Sequence, residues 1–138
     1  ALLAGEGLEA LLVTHLPNIR YLTGFTGSAA LLLLRPHGAV LFTDFRYATQ
    51  APAEVGDSAE IEVDSASVWE RLKRTCAVRP DHAIGFEAHA LTVRDAGRLK
   101  QCARRTAPVG ELVEGLRTVK APEEIESITA AAALASAR

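Results

Sequence analysis

The sequence predicts an α/β domain: a mixed sheet of about five or six strands with helices on both faces. Three observations lead there. Two apolar runs flank the turn Arg35-Pro36-His37-Gly38, which is a hairpin signal. Beyond that hairpin, short apolar runs of strand length alternate with stretches whose apolar residues recur at helical spacing. The run Ala29–Leu34 has no polar alternation at all, as expected of a strand buried on both faces.

Taken in order, residues 1–7 read as the tail of a helix terminated by Gly5 or Gly7, and Leu8–Thr14 as a first strand. Pro17 opens a short helical turn over Asn18–Leu22 that ends at Gly24. Ser28–Leu34 and Ala39–Thr43 form the antiparallel hairpin. Asp44 is placed to cap one helix running through Arg46, Tyr47 and Gln50, which Pro52 would end or kink. Glu60–Val63 alternates and is expected at a sheet edge. Ser67 caps a helix over Val68–Val78, with Val68, Leu72 and Cys76 on one face. Pro80-Asp81 makes a turn and Ala83–Phe86 another strand. Leu91 or Thr92 opens an amphipathic helix to Ala103 whose expected apolar face is Val93, Ala96, Leu99 and Ala103. Thr106–Val109 is a last strand and Glu111–Arg117 a short helix. Ala121-Pro122-Glu123-Glu124 then starts a final helix striped by Ile125, Ile128 and Ala132, with proline and acids in its first turn.

Composition narrows the class. The formal net charge of −2 gives no reason to expect a polyanion partner, yet the charge is uneven. Residues 71–105 carry nine basic and three acidic side chains, against three and nine in residues 1–70. The bland reading of that basic block is a solvated surface or one side of a domain contact. Nucleic-acid binding through Arg94, Arg98, Lys100, Arg104 and Arg105 lacks the neighbouring aromatics that single-strand stacking needs. Cys76 and Cys102 form no metal pattern and are expected to be free thiols in a reducing cytoplasm. Signal-peptide character is absent from residues 1–10, and no apolar run is long enough to cross a bilayer. There is no methionine, and the last helix pattern reaches Arg138 without a stop signal. The chain is therefore expected to be a piece of a longer one.

Catalytic patterns are missing. Gly5-Glu6-Gly7-Leu8-Glu9-Ala10 fits a dinucleotide fingerprint in letters, but it precedes a strand instead of following one. Ser28 lies in GFTGSA, which is no nucleophile elbow. Of the four histidines, none forms H-E-x-x-H. His37 and His82 sit at turns, and His15 ends a strand where it could face a cleft, ordinary polar contacts being its default role. No convergent metal-ligand set can be assembled from spacing alone.

Three segments add a resemblance. They are Pro17-Asn18-Ile19-Arg20-Tyr21-Leu22-Thr23-Gly24-Phe25-Thr26-Gly27-Ser28, Leu41-Phe42-Thr43-Asp44-Phe45-Arg46-Tyr47-Ala48-Thr49-Gln50-Ala51 and Leu116-Arg117-Thr118-Val119-Lys120-Ala121-Pro122-Glu123-Glu124-Ile125. In this order the chain resembles the amino-terminal domain of the creatinase/prolidase family, which includes Xaa-Pro aminopeptidases and Xaa-Pro dipeptidases. The resemblance implies a ribonuclease H-like domain over 1–116, then a linker and first helix over 117–138 leading into a "pita-bread" catalytic domain. That second domain would hold two divalent metal ions such as Mn or Co, on two Asp, one His and two Glu, and would hydrolyse X–Pro bonds with metal-held water. No cofactor is expected within this sequence, and alone it is expected to be inactive.

The resemblance further implies a non-catalytic role in dimerisation and in covering the active site. The expected partners are a second copy, the catalytic domain and proline-containing peptides, in the cytoplasm, with no nucleic acid and no membrane. Phe25, near the tip of the Gly24–Ser28 loop, and Arg46 and Tyr47 would contact substrate across the dimer, Arg46 as a planar fork for a substrate carboxylate. The plainer readings are a tight helix-to-strand loop for the first segment, an Asp44 cap for the second and a linker with an embedded helix cap for the third. A catalytically inactive scaffold or binding homologue and a creatinase-type amidinohydrolase share the same half and stay open alternatives.

Overall fold

The computed structural model describes residues 8–36, 38–64, 67–76, 83–103, 105–110 and 112–117. The expected helix tail at 1–7, the turn at Pro80-Asp81, His37, His82 and everything after Arg117, including the final helix and its linker, lie outside the described residues.

Six strands form one sheet: β1 Ala10–Val13, β2 Ala30–Arg35, β3 Gly38–Asp44, β4 Glu60–Asp64, β5 Ala83–Glu87 and β6 Arg105–Val109, in the order β4-β3-β2-β1-β5-β6. The β2–β3 hairpin is antiparallel from Ala30↔Thr43 to Arg35↔Gly38, as the turn signal predicts. β1 pairs antiparallel with β2 and parallel with β5, while β3–β4 and β5–β6 are parallel. Only β2 therefore runs against the other five strands. This is the mixed sheet expected from the sequence.

Among the described residues five α-helices flank the sheet: α1 Leu16–Thr23, α2 Gln50–Val55, α3 Val68–Cys76, α4 Val93–Cys102 and α5 Leu112–Arg117. Successive strand residues point to opposite faces, so the apolar runs of β1 and β2 feed two cores. Leu11, Val13, Leu32 and Leu41 meet Ile19, Leu22, Phe25, Ala51, Val55 and Val113 on one face, under α1, α2 and α5. Leu12, Leu31, Leu33 and Phe42 meet Leu72, Cys76, Leu99 and Cys102 on the other, under α3 and α4. Each fully buried leucine contributes roughly 1.5–3 kcal/mol relative to exposure. No helix among the described residues is long and apolar enough to cross a membrane.

Local chemistry sets the helix ends. Pro17 occupies the first turn of α1, where a missing N–H costs nothing. Gly24 ends the helix at φ 85°, its N–H donating to the Arg20 carbonyl at 2.7 Å. A side chain there would also come within 3.0 Å of the Glu54 carbonyl oxygen. Ser67 caps α3 and Thr92 caps α4, their hydroxyls accepting from Glu70 N–H and Asp95 N–H at 3.4 and 3.1 Å.

Two expectations need correction. The single helix expected after Asp44 is two pieces, a 3₁₀ turn over Phe45–Tyr47 and then α2. Pro52 has no N–H to give an interior turn, so the chain restarts its helix at Gln50 and places the proline in the new first turn. Val93 is 92% exposed. At about 100° per residue it sits well off the stripe of Leu99, Cys102 and Ala103 that packs on the sheet.

Candidate functional site

Because β2 alone is reversed, the carboxyl ends of β1, β3, β4, β5 and β6 and the start of β2 all lie at one end of the sheet. In open α/β sheets that end is where chain crossovers diverge and leave a crevice. Two polar clusters are built there.

The first cluster is the Gly24–Ser28 loop with the Phe45–Tyr47 turn. Asp44 accepts from the Arg46 N–H at 3.0 Å, which starts the turn, and its two oxygens take Arg46 Nε and Nη2 at 3.0 and 2.7 Å. The Arg46 side-chain hydrogen bonds hold the Asp44 carboxyl below its ordinary value. This fork uses two of the five guanidinium N–H groups and leaves the Arg46 side chain 60% exposed. The guanidinium carbon stands 5.3 Å from the centre of the Tyr47 ring. Tyr47 is in turn fixed by Ser28, whose N–H donates to the phenol oxygen at 3.0 Å and whose hydroxyl lies 2.6 Å from it. Those two contacts draw the phenol pKa down. Thr26 is tied to α2, its N–H and hydroxyl donating to the Glu54 carboxylate at 2.9 and 2.6 Å.

Of the three residues predicted to contact substrate, Arg46 faces solvent and Tyr47 is half-buried behind it. Phe25 is elsewhere than expected: it turns into the core at 1% exposure and packs edge-to-face on Tyr47, ring centres 5.3 Å apart. The outward aromatic of this surface is Phe45, 63% exposed, which the sequence reading passed over. The loop tip belongs to Thr26 and Gly27.

The second cluster lies beyond β1 and β5. Glu87, at the end of β5, is 2% exposed. Its Oε1 accepts from Thr14 N–H and His15 N–H at 2.8 and 2.9 Å, and its Oε2 from Asn18 Nδ2 at 2.5 Å. A buried carboxylate survives because it meets the exposed amides and positive end of α1, where His15 offers no side-chain cap of its own. Asn18 Nδ2 also donates to Glu114 Oε2 at 2.7 Å, and Asn18 Oδ1 accepts from Arg117 Nη1 at 2.8 Å, which fastens α5 to α1. His89 Nε2 lies 2.7 Å from Glu114 Oε2, and the rings of His15 and His89 meet edge-to-face at 5.5 Å. Burial pushes the Glu114 carboxyl up, but Asn18, its own backbone N–H and His89 outweigh burial and hold it below the ordinary range.

An open cavity of about 750 Å³ is lined by Arg20, Arg117 and the loop residues Phe25, Thr26 and Ser28.

Spacing alone gave none of the four histidines a ligand partner, yet the fold brings His15, His89 and Glu114 together, their ligand atoms within 4.8 Å of one another. Asn18, Glu87 and Arg117 were missed as well. The donor set that the resemblance implies for two metal ions is a different one. Among the described residues Asp44, Asp64 and Asp95 are each paired with an arginine, Arg46, Arg74 and Arg98, and Asp57 is the one other aspartate, so a two-Asp, one-His, two-Glu arrangement does not fit here. Arg98, part of the basic block, is thereby paired. Cys76 and Cys102 are free, as expected, and the fold buries both. Burial pushes the Cys76 thiol up to about 11, with Cys102 adding to the effect.

Comparison with known proteins bears on the whole chain. The Creatinase/Prolidase N-terminal domain family matches residues 1–119. The chain is 34% identical over 131 residues to the uncharacterized peptidase YqhT of Bacillus subtilis, covering 94% of this chain and 37% of that protein. It superposes on an Xaa-Pro dipeptidase from Bacillus anthracis with a TM-score of 0.79 at 28% identity, over 90% of this chain and 35% of that one. It superposes on the N-terminal domain of the cytoplasmic peptidase PepQ from Mycobacterium tuberculosis H37Rv with a TM-score of 0.66 at 32% identity, over 92% of both chains. The chain thus spans little more than a third of the length of the peptidase YqhT and of the dipeptidase.

Proposed function

This chain belongs to the Creatinase/Prolidase N-terminal domain family and is an N-terminal domain of the Xaa-Pro peptidase type, and from that premise we propose that it serves as the non-catalytic half of a cytoplasmic, homodimeric, proline-specific metallopeptidase. In that reading the domain precedes a catalytic domain holding two divalent ions. It pairs with a second copy and presents the Phe45–Tyr47 turn to the partner's active site. Proline-containing peptides are the substrate, and the domain restricts which of them fit.

The observation that carries this reading is the construction of the Arg46 turn. An exposed guanidinium is oriented by a bidentate carboxylate, Asp44, and by an aromatic ring, Tyr47. The ring is itself locked by Ser28 and Phe25. A solvated arginine needs no such support, because an exposed ion pair adds little stability. A recognition group does need it, since a preorganised fork loses less freedom on binding a carboxylate. Phe25 then acts from inside, by fixing Tyr47, and Arg46 and Phe45 make the outward contact.

The test is Arg46→Ala in the full-length dimer. The KM for dipeptides, whose carboxylate lies next to the scissile bond, should rise roughly tenfold or more, while longer peptides change little. Equal effects on both lengths would remove the assigned role.

A further inference from the structure

We infer that His15, His89 and Glu114 form a single-ion site for a divalent transition metal of the zinc class. The three side chains come from the loop after β1, the turn after β5 and helix α5 after β6, three strands that all run in one direction. Their convergence follows from that topology. After β1 the chain packs α1 on one face of the sheet, and after β5 it packs α4 on the other. The paths part between two adjacent parallel strands, which is where α/β sheets leave room for a ligand.

The donor atoms lie within 4.8 Å of one another. Zinc bonds of about 2.0–2.2 Å in a tetrahedral arrangement put ligand atoms roughly 3.4 Å apart, so side-chain adjustments of about an ångström complete the set. The 2.7 Å contact between His89 Nε2 and Glu114 Oε2 would open slightly as the ion replaces the shared proton. Two imidazoles and one carboxylate suit zinc, cobalt or nickel, not magnesium or calcium, and three protein ligands leave a fourth position for water or a donor from elsewhere.

Two details separate this cluster from a plain ion pair. Glu114 Oε1 is buried with no hydrogen-bond partner among the described residues, an unfilled acceptor that a cation satisfies. Behind the ligands, Asn18 orients Glu114 while Glu87 and Arg117 orient Asn18, the kind of outer support that fixes metal ligands.

Calorimetric titration of the metal-stripped 138-residue chain with zinc chloride should show one equivalent bound at micromolar affinity or better, and cobalt chloride should develop visible d–d bands. His15→Ala and His89→Ala should each weaken binding roughly 100-fold or more, and Asn18→Ala roughly tenfold. Binding weaker than about 100 µM, or binding that survives loss of both histidines, overturns the assignment. If a variant fails to fold, NMR of the unaltered chain decides. Zinc-induced shifts at the His15 and His89 imidazoles support the site, and shifts confined to His37 and His82 refute it.

Discussion

Glu87 is the sharpest place to test the physical account of this fold. It is a carboxylate at 2% exposure that satisfies three donors from one helix start. Glu87→Ala leaves Thr14 N–H, His15 N–H and Asn18 Nδ2 without their acceptor. Each abandoned buried donor costs about 1–3 kcal/mol, and the lost charge at the α1 amino end adds up to about 1 kcal/mol. Water entering the space left behind returns part of this, so a net loss of about 3–5 kcal/mol is expected. That is a large share of the roughly 5–15 kcal/mol available to a domain and corresponds to a melting temperature lower by roughly 10–20 °C.

Glu87→Gln isolates the charge from the shape. Its carbonyl oxygen can still accept from Thr14 and His15, but its amide meets the Asn18 amide donor to donor. Turning Asn18 over relieves that clash only by facing a donor at Arg117 and withdrawing one from Glu114. The expected cost is about 1–3 kcal/mol. Urea unfolding followed by Trp69 fluorescence, the only tryptophan in the chain, measures both variants against the parent. A loss under about 0.5 kcal/mol for Gln, or under about 1 kcal/mol for Ala, would show that Glu87 does not hold α1 and α5 in place.

The same unfolding assay serves two further expectations. A Cβ at Gly27 would lie 2.2 Å from Phe25 Cζ and 2.9 Å from Tyr47 Cε1. Gly27→Ala should therefore cost about 1–3 kcal/mol, whereas Gly97→Ala, inside α4 with nothing within 4 Å, should be neutral or stabilising by up to about 1 kcal/mol; equal effects would contradict the packing described. Cys76, with its folded pKa raised to about 11, keeps its proton in the fold after the unfolded thiol has lost it at roughly 8.5. Its contribution is fully present below pH 8.5 and is lost as pH rises toward 11, by on the order of 3 kcal/mol; a pH 8–10 stability slope no steeper than that of Cys76→Ala would refute this.

What the sequence made legible was what local rules govern. The hairpin showed because its two apolar runs and their turn are contiguous. The end of α1 showed because Gly24 takes a left-handed conformation that other residues avoid. The break between Tyr47 and Gln50 was harder to place. Asp44 and Pro52 each gave a true signal, but their eight-residue separation admits either one kinked helix or two short pieces. Phe25 and Phe45 look alike as loop aromatics, and only packing sends one inward and the other out. His15, His89 and Glu114 share no helix or strand period. A usable signal did exist, since each follows a predicted strand within a few residues, and parallel strands carry such positions to one end. It needed the strand directions, which local patterns do not give.

Those directions also decide where the domain can act. Both lateral edges of the sheet resist strand addition. β4 is lined by the pairs Arg35–Glu60, Arg71–Glu62 and Arg74–Asp64, and β6 carries Pro108, which has no N–H to offer. That leaves helices and loops as the accessible features, and the single reversed strand, β2, settles which of them gather at one end. Were it parallel to its neighbours, the Gly24–Ser28 loop that feeds it would lie at the opposite end of the sheet from Arg46. Reversal returns that loop to the end where β1, β3 and β5 finish, so Ser28 reaches Tyr47 and Phe25 packs beside it. The Arg46 turn and the His15–His89–Glu114 cluster follow β3, β1, β5 and β6, which all run one way, so both stand at that same end. One strand's direction thus decides whether the Arg46 turn has Ser28 and Phe25 behind it or stands without them.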